Sequence, residues 1–231
     1  MIPQSSTRVL HLTGWAGLIG ALLVGIGEFT LQFSPAGGYE APDYNYFARI
    51  SMTRLTAGHF FSVLAAPLYL LGYWHLGQMF IRGGSKFAGW FITLFGGYAF
   101  VVGTAWLGGR VYLALTAHAL ADASVEVTTV LTPLLEQFAF HNEPLVNALR
   151  LAMLIISVLW IWRILKEKTL YPRWMALFSP ILLLGLIFAT YFFIAPTLGA
   201  YLLPAAMNVV HVIIFALSIY CLKGQLQHVA A

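Results

Sequence analysis

Residues 54–82 read RLTAGHFFSVLAAPLYLLGYWHLGQMFIR, and this stretch decides the fold class. The residues between Arg54 and Arg82 carry no formal charge. A helix of this length measures about 40 Å, which exceeds the membrane hydrocarbon core of about 30 Å. The stretch also contains His59, near its first end, and a histidine at membrane depth must face protein or water. The sequence therefore predicts a membrane-spanning helix that borders a buried polar site.

The composition extends this prediction to the whole chain. Of its 231 residues, 60% are hydrophobic and 9% are charged, whereas soluble domains carry about 25% charged residues. We therefore expect one integral membrane domain over residues 1–231. The net charge of +4 does not indicate a nucleic-acid partner, because the basic residues form short clusters at span ends. The single cysteine, Cys221, excludes an intramolecular disulfide and a cysteine-based metal cage.

Hydropathy predicts an all-α polytopic bundle of six transmembrane helices. An additional segment at about 119–140 is too polar to span the bilayer and too apolar for a free loop. It is typical of an outer interfacial helix, or of a helix pair broken at Pro133, and it either covers a pocket or lies passively on the bilayer. The six predicted spans are residues 9–33, 54–82, 87–117, 145–166, 173–194 and 202–222.

Charge predicts the orientation of the bundle. Eight of the twelve basic residues fall on one side of the predicted spans. Loops rich in lysine and arginine stay in the cytoplasm, so both termini are expected to be cytoplasmic. The eight residues are Arg8, Arg82, Lys86, Arg163, Lys166, Lys168, Arg173 and Lys223.

Depth along the predicted helices brings four ionisable residues to one layer. Counted from the span ends, Glu28, His59, Arg150 and His211 lie at similar heights in the outer half, roughly 7–11 Å beneath the interface for the last three. A buried charge costs several kcal/mol unless it is partnered. We therefore expect these residues to converge, either in a functional pocket or in a purely structural polar cluster. Amides accompany them on the same helix faces, at Gln32, Asn147 and Asn208.

Three chemistries fit this layer. Glu28 with His59 and His211 can act as catalytic acid and base, or can form a metal site of two histidines and one carboxylate. No HxxxH or HExxH motif supports the metal site, and haem ligation by the two histidines has the same weak support. Alternatively, Arg150 and the amides hold the polar head of a lipidic ligand, with Arg110 as a rim contact or simply reaching towards phosphate.

The sequence leaves the function open between three classes. The first is a membrane enzyme that acts on a lipidic or hydrophobic small molecule by acid–base chemistry. The second is a non-catalytic binder or transporter, and the third is a structural subunit of a membrane complex. Membrane lipids are the expected partners in each case, whereas cofactor, metal and oligomeric state are not indicated.

The second span resembles a known family. Residues 54–80, RLTAGHFFSVLAAPLYLLGYWHLGQMF, preceded by GEFTLQFSP at residues 27–35, are similar to a family of six-helix bacterial integral membrane proteins of unknown function. The likeness covers the first two spans best. It implies a six-span protein of the bacterial inner membrane, and it implies no activity and no catalytic residue.

Overall fold

The computed structural model describes residues 4–37, 43–166 and 168–230, and this part of the chain is helical with no β-strand. The α-helices of the described residues are α1 (Gln4–Gln32), α2 (Met52–Ala65), α3 (Leu68–Arg82), α4 (Lys86–Ala121), α5 (Val125–Leu165), α6 (Pro180–Ala189), α7 (Pro196–Leu202) and α8 (Ala206–Ala230). We call the end where α1 begins and α8 ends the terminal end. The opposite end, which holds residues 43–50, is the loop end.

The prediction of an all-α membrane bundle is confirmed. Among the described residues, four helical segments are long and apolar enough to cross a membrane, and the bent pair α2 and α3 makes a fifth. The four segments are Thr7–Gln32, Lys86–Ala121, Val125–Leu165 and Pro196–Gly224.

The predicted second span is two helices rather than one. α2 and α3 meet at an angle of 41°. Pro67 lies at the junction and has no backbone N–H to donate to the preceding turn, which explains the break. The bend leaves a groove between this pair and α4, lined by Pro67, Leu70 and Gly108 among others.

The predicted fifth span, 173–194, is also interrupted. A 3-10 helix occupies Arg173–Phe178, and α6 then begins at Pro180 and continues as a π-helical turn over Thr190–Ile194. Together α6 and this turn measure roughly 22 Å, which is less than the membrane core.

The segment 119–140 is helical, as expected, but it is not separate from the neighbouring spans. α4 has 36 residues and α5 has 41, and α5 continues through both Pro133 and Pro144. At roughly 54 and 61 Å the two helices exceed the membrane core. They form an antiparallel hairpin that extends beyond the loop end. Because α5 is continuous through Pro133, the helix break expected there is not present.

Small residues allow α1 to pack closely in the bundle centre, against α2, α3 and α8. A methyl group added at Gly17 would lie 2.5 Å from the Cα atom of Gly72, and one added at Gly58 would lie 2.6 Å from the backbone nitrogen of Leu31. Side chains at these glycines would therefore push the helices apart.

Candidate functional site

A buried arginine organises the polar cluster at the loop end. Arg110, on α4, is 4% exposed. Its Nε donates to Oε1 of Gln32 at 3.0 Å, and Nη2 donates to the Tyr46 hydroxyl at 2.6 Å. Nη1 forms an ion pair with Glu143 at 2.8 Å. The arginine therefore ties α1, the 43–50 loop and α5 to α4.

Three aromatic rings surround the same guanidinium group. Its central carbon lies 5.2 Å from the ring centre of Tyr44, 5.3 Å from Phe47 and 5.2 Å from Trp106. Rings at this distance attract a cation through their negative faces. Burial raises the pKa of Tyr46 to about 12, partly offset by the positive charge of Arg110. The phenol consequently stays protonated and available as a hydrogen-bonding group.

Glu28 is connected to Arg110 through the side chain of Gln32. It is 6% exposed, and its Oε1 accepts a hydrogen bond from Nε2 of Gln32 at 3.0 Å. Its Oε2 accepts from the Asn208 side-chain amide on α8, whose own oxygen accepts from the Tyr69 hydroxyl. Gly25 permits this approach, because a methyl group there would lie 3.0 Å from Cβ of Asn208. The carboxyl group is therefore held between two neutral amides.

A cavity of about 480 Å³ adjoins the cluster. Its lining combines polar side chains with aliphatic and aromatic side chains from α5, α6, α8 and the 3-10 turn Leu203–Ala205. The polar lining is Glu28, Tyr44, Arg110, Glu143 and Arg150 together with Trp106, and the apolar lining is Val146, Leu149, Leu184, Phe188, Leu203, Ala206 and Met207. The side chain of Glu143 is 40% exposed, which places it at the rim.

A smaller cavity of about 50 Å³ lies on the other side of Glu28 and contains a tyrosine–histidine pair. The Tyr73 hydroxyl lies 2.6 Å from Nε2 of His211, and Nδ1 of His211 lies 2.7 Å from the Met207 carbonyl oxygen. A carbonyl only accepts, so Nδ1 carries the hydrogen, and Nε2 of the neutral ring accepts from Tyr73. Glu28 and this pair thus share one enclosed space.

A family model matches residues 5–224, which is nearly the whole chain. The model is that of a family of unknown function, DUF6796. The protein belongs to the DUF6796 family. No curated protein and no solved structure matches the chain. The resemblance seen in the first two spans therefore extends over all the helices of this DUF6796 protein, and it assigns no activity.

The structure brings together part of the predicted layer. Glu28, Asn208 and His211 line the smaller cavity, and Gln32 is bonded to Glu28. Arg110, expected at the rim or reaching towards phosphate, is instead the buried centre of the network. The DUF6796 chain thus concentrates its buried polar groups on α1, α4 and α8.

Other predicted site residues of the DUF6796 protein lie elsewhere. His59 lines the lipid-side groove of about 610 Å³ between α2 and α4, apart from Glu28. Arg150 reaches the larger cavity but is exposed and donates to Asn147, which is also exposed. The four ionisable residues therefore do not all line one cavity, and their expected convergence is wrong for His59. Within the described residues, no group of three or more His, Cys, Asp and Glu side chains is arranged to hold a metal ion.

Sequence reasoning missed several members of the site, including Tyr44, Tyr46, Tyr69, Tyr73 and Glu143. The two loop tyrosines belong to the PDYNYF stretch at residues 42–47, whose aromatic content was the available signal. Tyr69 is on α3, one turn before Tyr73, so the spacing of these two tyrosines also indicated a shared face.

A second buried polar cluster lies towards the terminal end of this DUF6796 protein. His75 has Nδ1 at 2.8 Å from the Leu10 carbonyl oxygen and Nε2 at 2.7 Å from the Ser218 hydroxyl, which also contacts Tyr171. The half of the bundle near the terminal end therefore also contains buried polar groups. Phe215 lies between His211 and Ser218 along α8, and its ring centre is 5.9 Å from that of His211.

Proposed function

We propose that this membrane protein binds a lipidic or other hydrophobic small molecule in the larger cavity, with the polar head of the molecule at Glu28. The observation that carries the proposal is the mixed lining of the cavity. Glu28, Arg110 and Glu143 contribute polar groups, and chains such as Leu184 and Phe188 contribute apolar surface. An amphiphile matches such a lining, because its head satisfies the polar groups and its chain packs on the apolar groups.

The volume supports the same proposal. About 480 Å³ is within the range of sites that hold small organic ligands. The indole Nε1 of Trp106 is buried and has no hydrogen-bond partner among the described residues. Trp106 borders both cavities, so a head group with an acceptor atom would supply the missing bond.

Photoaffinity labelling tests this function. A long-chain alcohol with a diazirine on its chain is added to the protein in phosphatidylcholine vesicles, and labelled peptides are identified by mass spectrometry. The expected labels are on α5 and α6 near Leu149, Leu184 and Phe188. Ala206→Phe places a large ring in the cavity and should remove this labelling. Leu186→Phe is the matched control, because Leu186 is exposed and does not line the cavity.

Acid–base catalysis on the bound molecule is a second candidate, favoured by one observation. Glu28 borders the larger cavity and also lines the smaller one together with the Tyr73–His211 pair. Three side chains that can donate or accept a proton are therefore next to the proposed ligand site. Lipid extracts incubated with wild type and with Glu28→Gln test it. A molecule consumed by wild type alone supports catalysis, whereas binding without any conversion favours the binder.

A further inference from the structure

The charges of Glu28, Arg110 and Glu143 do not balance among themselves, although Arg150 makes the lining as a whole neutral. Arg110 forms its ion pair with Glu143 at 2.8 Å, so these two charges offset one another. The hydrogen bonds to Glu28 come from the neutral amides of Gln32 and Asn208. The Gln32 side chain bridges the two groups, because its Nε2 donates to Glu28 and its Oε1 accepts from Arg110. With both glutamates ionised, the wall formed by these residues therefore has one negative charge in excess.

The remaining cation at the cavity balances this excess in number but is not buried. Arg150 lies on the rim, where its side chain is exposed and donates to Asn147 at 3.2 Å. An exposed charge is screened by its surroundings and acts only weakly on a buried group. A bound molecule with a positive charge would therefore add a charge-assisted hydrogen bond to those that Glu28 receives from the two amides.

We propose that the ligand head carries an ammonium group that binds the carboxylate of Glu28. The inference rests on the proposed function, since it specifies the ligand of the same cavity. An ammonium donates charge-assisted hydrogen bonds to a carboxylate. An anionic head placed at Glu28 would instead be repelled by this carboxylate, and its partners in the lining would be Arg110 and Arg150.

Three probes that differ only in the head group test the inference. Diazirine-bearing long-chain ammonium, alcohol and carboxylate compounds are added separately to the protein in phosphatidylcholine vesicles. Label on α6 is measured relative to label on α2, whose Phe60 and Phe61 are exposed, which corrects for membrane partition. The ammonium probe should label α6 about tenfold more than the alcohol, as expected for one charge-assisted hydrogen bond in place of a neutral one. The carboxylate should label it least.

Two substitutions assign the preference to Glu28. Glu28→Gln should reduce ammonium labelling to the level of the alcohol, and Glu28→Asp, which retains the charge, should keep the ammonium preference. Glu136→Gln is the matched control, because Glu136 is an exposed residue of α5 outside the cavity lining. Should Glu28→Gln fail to fold, displacement of the ammonium probe from wild type by excess dodecylammonium, and not by dodecanol, supports the same assignment.

The outcomes distinguish ammonium recognition at Glu28 from amphiphile binding in the cavity. Equal labelling by alcohol and ammonium, or stronger labelling by the carboxylate, overturns the ammonium inference while the amphiphile site stands. Failure of all three probes to label the cavity lining overturns the proposed function itself.

Discussion

Replacing Arg110 by methionine tests whether the loop-end network holds the bundle together. The substitution keeps an unbranched chain of similar length but removes the donors to Gln32, Tyr46 and Glu143. Gln32 and Tyr46 are almost fully buried, so each loses its partner where water cannot replace it. An orphaned buried polar group costs about 1–3 kcal/mol. The loss at Glu143 is smaller, because its side chain is 40% exposed.

The expected total is roughly 3 kcal/mol of unfolding free energy, since removing the buried charge also removes its desolvation cost. Reversible unfolding in mixed detergent micelles, followed by circular dichroism, measures the change. Glu143→Gln should cost less than Arg110→Met, because Arg110 keeps its bonds to Gln32 and Tyr46. The double variant should be nearly as stable as Arg110→Met alone, since both substitutions remove the same ion pair.

Arg150→Met is the matched control for this measurement. Arg150 lines the same cavity but is exposed, so its loss should cost less than about 1 kcal/mol. Combined with Glu28→Gln, it should be additive, because the two residues are not bonded to each other. Equal destabilisation by Arg110→Met and Arg150→Met would refute the central position assigned to Arg110.

Three further outcomes are expected. A reporter fused after Ala231 should be active only in the cytoplasm, and activity outside the cell would reverse the orientation predicted from charge. Because burial raises the pKa of Tyr46 from 10.0 to about 12, the folded state keeps a proton that the unfolded state loses, so stability should fall between pH 10 and 12. The slope is about 1.4 kcal/mol per pH unit, and unfolding titrations of Tyr46→Phe should lack this component. Gly17→Ala should destabilise the bundle by about 1–3 kcal/mol in the same unfolding assay, because the methyl group meets Gly72, whereas Gly185→Ala meets nothing and should be neutral.

The grouping of some site residues was predictable from the sequence, because position along a helix needs only helix rise and span ends. Glu28, Asn208 and His211 were expected at one depth, and the structure places them around one cavity. The prediction for these three residues was correct because α1 and α8 are continuous helices over the positions concerned. The predicted position of Gln32 beside Glu28 was also correct, since a residue one turn away lies on the same helix face.

The direction in which a residue faces was not predictable in the same way. His59 lines the groove beside α4, and Asn147 and Arg150 are exposed, although Arg150 also reaches the larger cavity. Transmembrane helices are apolar on all sides, so their sequence lacks the polar and apolar stripes that indicate the buried face of a soluble helix. The bend at Pro67 further changes the face that α2 presents to its neighbours.

Arg110 shows how a long-range contact changes the surroundings expected for a residue. The sequence placed it near the lipid headgroups, where an arginine normally extends towards phosphate. α4 continues past it to Ala121, and the 3-10 helix Asn45–Arg49 folds over it with Tyr46 and Phe47 buried. This long-range contact between a loop and α4 leaves no local pattern, and it converts a candidate surface arginine into a buried one.

A density map of the protein in lipid nanodiscs tests the amphiphile-binding cavity most directly. Elongated non-protein density is expected in the space of about 480 Å³, with one end at Glu28 and the rest along Leu184 and Phe188. The same map of Ala206→Phe should lack it. A cavity that contains only separate water peaks, or that is closed by the side chains of α5 and α6 in the wild-type protein, would contradict amphiphile binding.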